Sequence, residues 1–173
     1  MSAQTQTFDI VPGRSAVLVR ARSMVGPISF ATSDVEGAVS MALRDGAVDT
    51  GGSLTARLVV PLHTLTSGNN LYDSELRRRI DTRRHPLATL SLKSASRIEE
   101  TNRYDLVGEM ELHNEIRAIA GTVSITIPHD GTVVVRGEQT FDIRDFKLEP
   151  PTTFSFKIYP DVFVEMHLEV SAT

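Results

Sequence analysis

Hydrophobic and polar residues alternate with a period of two along most of this chain, and that period marks β-strands. The cleanest run lies near the C-terminus, where Val162, Val164, Met166, Leu168 and Val170 alternate with Phe163, Glu165, His167 and Glu169. It predicts a half-buried strand over 163–170. The same pattern predicts strands over 15–23, 35–43, 53–60, 87–94, 104–113, 116–127 and 132–143. In 15–23, Val17, Val19 and Ala21 share one side. In 53–60, Leu54, Ala56, Leu58 and Val60 oppose Thr55 and Arg57. In 104–113, Tyr104, Leu106, Gly108, Met110 and Leu112 oppose Asp105, Glu109 and Glu111. An extended segment begins at Phe8-Asp9-Ile10 and bends at Pro12-Gly13; Gly26-Pro27 reads as a break, and Gly37 as a bulge or point of close approach. Pro128 to Gly131 has the composition of a hairpin loop, with Gly131 supplying a positive φ. A further loop is expected at Pro150-Pro151.

One stretch departs from this period. In SGNNLYDSELRRRIDTRRHP, residues 67–86, Tyr72, Leu76, Arg79 and Ile80 recur at helical spacing. Asn70 is placed to cap the start, with Asp73 as a capping-box partner, and His85-Pro86 to end the run. Eight strands and one helical insert at about 70–85, with no repeat or linker, predict one domain over 1–173. Its fold class is all-β: an antiparallel sheet closed on itself, with the helix across one end. The inward-facing set is then Val17, Val19, Leu58, Val60, Leu90, Leu92, Leu106, Met110, Phe141, Ile143, Val164 and Met166, almost all aliphatic. Leu76, Ile80 and Phe146 are expected at the mouth. A barrel of this size is either filled by its own side chains or holds one small ligand. Gly108 leaves room for the second arrangement, which makes these residues the candidate ligand-binding set.

Composition excludes more than it assigns. There is no cysteine, hence no disulfide, thiol nucleophile or thiolate metal site. A net charge of −4 argues against nucleic acid as a partner. No apolar run reaches the ~18 residues of a transmembrane segment. The N-terminus lacks the pattern of a signal peptide, so a cytoplasmic protein is expected, or a periplasmic one if a leader has been removed. His63, His85, His113, His129 and His167 sit at wide spacings, so no metal site is expected, and His167 should face solvent. No phosphate loop or nucleophile elbow is present, so neither a catalytic residue nor a cofactor is expected. Arg144 reads as an ion-pair partner of its flanking carboxylates Asp142 and Asp145. Arg77, Arg78, Arg79, Arg83 and Arg84 have two readings: a solvated helix face paired with Asp73, Glu75 and Asp81, or an anion platform for a lipid headgroup.

Four segments, in order, carry a resemblance. They are FDIVPGRSAVLV (8–19), TLTSGNNLYDSELRRRIDTRRHP (64–86), YDLVGEMELHNEI (104–116) and FDIRDFKL (141–148). Together they resemble the YceI-like proteins in order and spacing over nearly the whole chain. Arg14 stands where that family usually has His, Tyr72 where it has Arg, Ile80 where it has an aromatic and Lys147 where it has Gly. The resemblance implies a lipocalin-like eight-stranded barrel enclosing a polyisoprenoid or fatty-acid-like long-chain ligand, often as a homodimer. Two other readings stay open beside this non-enzymatic carrier. One is a filled barrel that serves as an interaction or stress protein. The other is a small enzyme that uses Asp73, Asp81 or Arg144 on a lipophilic substrate.

Overall fold

The computed structural model describes residues 4–149 and 158–173. Its strands are β1 (Thr5–Ile10), β2 (Ala16–Ser23), β3 (Gly26–Thr32), β4 (Glu36–Arg44), β5 (Ala47–Val48), β6 (Thr55–Pro61), β7 (Leu87–Arg97), β8 (Arg103–Leu112), β9 (Glu115–His129), β10 (Thr132–Asp142) and β11 (Ile158–Ala172). One helix, α1 (Asn70–Ile80), and single turns of 3-10 helix at Leu62–Thr64 and Ile143–Phe146 complete the described elements. The loop expected at Pro150-Pro151 lies outside the described residues.

The first four strands form one long hairpin whose two arms are each broken once. β1 pairs with β4 and β2 with β3, all antiparallel. The ring then runs β4, β6, β7, β8, β9, β10, β11, and β11 returns to β1 through Phe8↔Ala172 and Ile10↔Val170. Counting each broken arm as one strand, this is an eight-stranded antiparallel barrel, as the alternation predicted.

One strand was not foreseen. Gly26-Pro27 does not interrupt the sheet but begins β3, where Pro27 lies opposite Arg22. Beyond β2, among the described residues, β3 makes only the isolated Ala31↔Thr66 bridge, so a proline without an N–H is tolerated on this free edge. The signal was present in Ile28, Phe30 and Thr32, which alternate and are all buried. Gly37 is a point of close approach: φ is +137°, and a Cβ there would collide with the Arg57 carbonyl across the ladder. Gly108 serves the same purpose rather than widening the interior, because its Cβ would strike the Ser91 carbonyl on β7.

The helix also differs at both ends. Asn69, not Asn70, is the cap, its Oδ1 accepting from the N–H of Leu71 and of Tyr72. Asp73 makes no capping box; its carboxylate accepts from the Ser67 N–H at 2.8 Å and the Ser67 hydroxyl at 2.6 Å. The helix stops at Ile80, well before His85-Pro86, because Asp81 turns left-handed at φ 56°. Asp tolerates that conformation better than most residues.

The two ends of the barrel are packed differently. At the end away from α1, Phe8, Met41, Tyr104, Val133, Leu168 and Val170 are fully buried in one cluster. Here the Tyr104 hydroxyl accepts the Val48 N–H at 3.0 Å, so an otherwise orphaned backbone donor is satisfied inside apolar surroundings. At the other end a second cluster joins Ile28 and Phe30 of β3, Leu62, Leu65, Ile80, Phe146 and Leu148.

Candidate functional site

Between these clusters lies a cavity of about 400 Å³. Its floor is the packed end, its walls are the inward registers of the strands, and its roof is α1. Tyr72, Leu76 and Ile80 recur every four residues and so share the helix face turned to the cavity, with Glu75 and Arg79 beside them. The buried Asp73 fixes this roof by tying the first helical turn to Ser67.

The structure brings all fifteen residues named from the sequence to this one space. Val17 and Val19 come from β2, Leu58 and Val60 from β6, Leu90 and Leu92 from β7, Leu106 and Met110 from β8. Phe141 comes from β10, Ile143 and Phe146 from the turn after it, Val164 and Met166 from β11, and Leu76 and Ile80 from α1. Val17 and Leu58 belong to the floor cluster, while Ile80 and Phe146 belong to the roof. Sequence reasoning missed Ile28 and Phe30, which came with the unforeseen β3, and Leu62 and Leu65 in the connection before α1. It also missed Gln139, whose Oε1 lies 3.0 Å from where a Gly121 Cβ would stand.

The wall has a seam. The β9–β10 ladder runs only from Thr132↔His129 to Gly137↔Val123. Above it, β9 continues to pair with β8 as far as Glu115, and β10 with β11 as far as Asp142, but not with each other. Gly121, Thr122, Glu138 and Gln139 on the two sides of this seam line the cavity, so it reaches the outer face there.

Charged side chains at the cavity are Glu138 and Glu149 on its wall and the Glu75–Arg79 pair under the roof. Arg79 Nε donates to Glu75 Oε1 at 2.7 Å, and Arg78 Nη2 donates to both Glu75 oxygens at 2.8 and 2.9 Å. The Arg79 hydrogen bond, seconded by Arg78, holds the Glu75 carboxyl below the usual carboxylate range against the effect of burial. A general acid needs the opposite shift. Of the other groups considered for chemistry, Asp73 is occupied by Ser67 and Asp81 pairs with Arg84 at 3.6 Å beyond the helix. Arg144 grips Asp142 at 2.6 Å, which lowers the carboxyl and raises the guanidinium pKa. The arginine run is thus partly a paired helix face, through Glu75 and Asp81 but not Asp73.

The histidines are less scattered than their spacing suggested. His85 and His113 meet edge to face, with ring centroids 4.6 Å apart. The Phe146 carbonyl can only accept, so His113 Nδ1 carries the proton in their 3.0 Å contact. Among the described residues no three metal-capable side chains come together. His167 lies on the outer register, where its Nδ1 accepts from Arg136 Nε at 3.1 Å. No described helix is long and apolar enough to cross a membrane.

No protein-family model matches the chain, and no curated protein matches its sequence. Solved structures do resemble it. BcnA from Burkholderia cenocepacia superposes with a TM-score of 0.77 at 15% identity, covering 93% of this chain and 99% of that one. A polyisoprenoid-binding domain from Saccharophagus degradans, implicated in plant cell wall breakdown, gives 0.75 at 12% identity over 97% and 99%. The YceI protein of Campylobacter jejuni gives 0.65 at 13% identity over 81% of each chain. These superpositions show that the chain has the fold of the YceI-like proteins.

Proposed function

We propose that the protein is a carrier that buries the chain of a polyisoprenoid or similar long-chain amphiphile in the barrel and leaves its polar head near α1. The observation that carries this reading is a cavity of about 400 Å³ walled by aliphatic side chains. Left unfilled, such a space forfeits the packing contacts of the side chains that line it. Water gains little there, because it needs polar partners that most of the wall lacks. An alkyl or prenyl chain removes the deficit: each buried methylene contributes about 0.8 kcal/mol, so ten carbons contribute about 8 kcal/mol before ordering costs. A domain of the same fold is described as polyisoprenoid-binding, which agrees in ligand class. The filled-barrel alternative required an interior without such a space. The enzymatic alternative would be supported by a carboxyl with a raised pKa at the cavity; Glu75 there is shifted down instead.

Native mass spectrometry of the purified protein, followed by solvent extraction, tests the proposal. The expected result is a non-covalent adduct that extracts as an apolar chain with one polar end. Met110→Arg places a cation among the half-buried residues of the cavity wall, outside the floor cluster. It should abolish the adduct and keep the strand signature in circular dichroism. A wild-type protein free of any adduct that also fails to take up an added fluorescent alkyl probe would overturn the carrier reading.

A further inference from the structure

We propose that the helix-covered end of the barrel docks on a lipid bilayer bearing anionic headgroups. What docking achieves rests on the carrier reading; the docking itself is argued from surface chemistry. Among the described residues, the four most exposed large hydrophobic side chains are Leu71 at 79%, Met24 at 68%, Val25 at 60% and Ile116 at 56%. All four stand at this one end. Met24 and Val25 form the tip of the β2–β3 hairpin beyond the Ser23↔Gly26 pair, and Ile28 at its base packs with Ile80 of the roof. Leu71 is in the first turn of α1. Ile116 begins β9, just past the turn where His113 bonds Phe146. The packed end offers nothing comparable; its exposed hydrophobic, Ile98, reaches 37%.

These side chains sit on three separate elements at the roofed end of the barrel. A globular partner is bound through a continuous core that is fully desolvated. Separate tips suit a fluid apolar phase that can close around each of them. The charge beside Leu71 has the matching sign, while that beside the hairpin and Ile116 is balanced by pairs such as Arg22–Asp161 and Arg117–Glu115. Residues 67–86 carry five arginines against three carboxylates in a chain whose net charge is −4. Arg78 and Arg84 are paired, but among the described residues Arg77 and Arg83 make no ion pair. Their guanidiniums are free for phosphate, which they match in geometry. Next to the hairpin tip, Arg22 lies 5.1 Å over the ring of Tyr159 and pairs with Asp161 at 3.4 Å. The Arg22–Tyr159 pair is suited to the boundary between headgroups and acyl chains.

Vesicle flotation tests the inference on the full chain. Vesicles of equal parts phosphatidylglycerol and phosphatidylcholine should carry the protein at least about tenfold more than phosphatidylcholine alone, and added salt should reduce the difference. Met24→Glu with Val25→Glu should lower flotation by at least about tenfold, with thermal midpoint and uptake of a soluble alkyl probe unchanged. Arg77→Gln with Arg83→Gln should remove the preference for the anionic vesicles. Failure to float on either vesicle, or flotation that the hairpin variant leaves intact, overturns the proposal. So does a hairpin variant that turns a dimer into a monomer while the wild type ignores vesicles, which would make this end a contact between copies. A protein that floats but takes up no alkyl probe in vesicle-free buffer refutes the carrier reading and not the docking.

Discussion

At Glu75 a single carboxylate meets two guanidiniums on the edge of an oily space. Its pKa is depressed, chiefly by Arg79, so in the folded protein it stays ionised at pH values where the unfolded chain has begun to take up a proton. The stability this contributes is present above the unfolded pKa and is lost as pH falls through the folded value. Urea titrations of wild type and Glu75→Gln should therefore differ near neutrality and converge only as pH falls through the folded value, which lies below the ordinary glutamate pKa of about 4.3; a gap that ignores pH would remove the ion pair from the account. The pair itself was legible, because Arg78 and Arg79 follow Glu75 by three and four residues. The roles of Asp73 and Gly108 were not. Each depends on what a distant segment brings to it, Ser67 in one case and the Ser91 carbonyl in the other. Lys147 shows the same limit: only the fold reveals that it sits at φ 57°, where glycine would be unstrained.

The strands were readable as elements because their two faces meet different media. Val162, Val164, Met166, Leu168 and Val170 point one way whether or not their neighbours are known. β3 was lost because Gly26-Pro27 looks like a break anywhere but on an edge. The helix was found by its period, yet its end was misplaced, since a left-handed Asp81 leaves no mark in the pattern. A polar anchor ties the first turn of α1 to the segment before it. Asp73→Ala removes both bonds to Ser67 and leaves a part-buried N–H unpaired, at a cost of about 1–3 kcal/mol. The variant should melt earlier and release a bound alkyl probe faster. An unchanged release rate would mean that the helix does not gate the cavity.

For the molecule as a whole, one end behaves as a packed core and the other as a container. A hollow interior makes stability depend on occupancy: whatever binds the folded state alone raises its apparent stability by mass action. Protein stripped of extractable lipid should unfold at a lower temperature than protein purified with its cargo. Adding a long-chain amphiphile at a hundred times its Kd should restore about 2.7 kcal/mol. Identical melting of stripped and loaded protein would mean that the interior closes on itself when emptied.

Residue alternation continues unbroken past Gly137 and Val123, so nothing in the pattern announced that the strands there part company. The two strands part above that point and are tied again only at the top, where His113 bonds the Phe146 carbonyl and Lys147 pairs with Glu115, so the wall can widen between them as far as those contacts allow. On the carrier reading proposed above, these two ties set how broad a tail the vessel admits, and Lys147→Ala should let it accept a bulkier one.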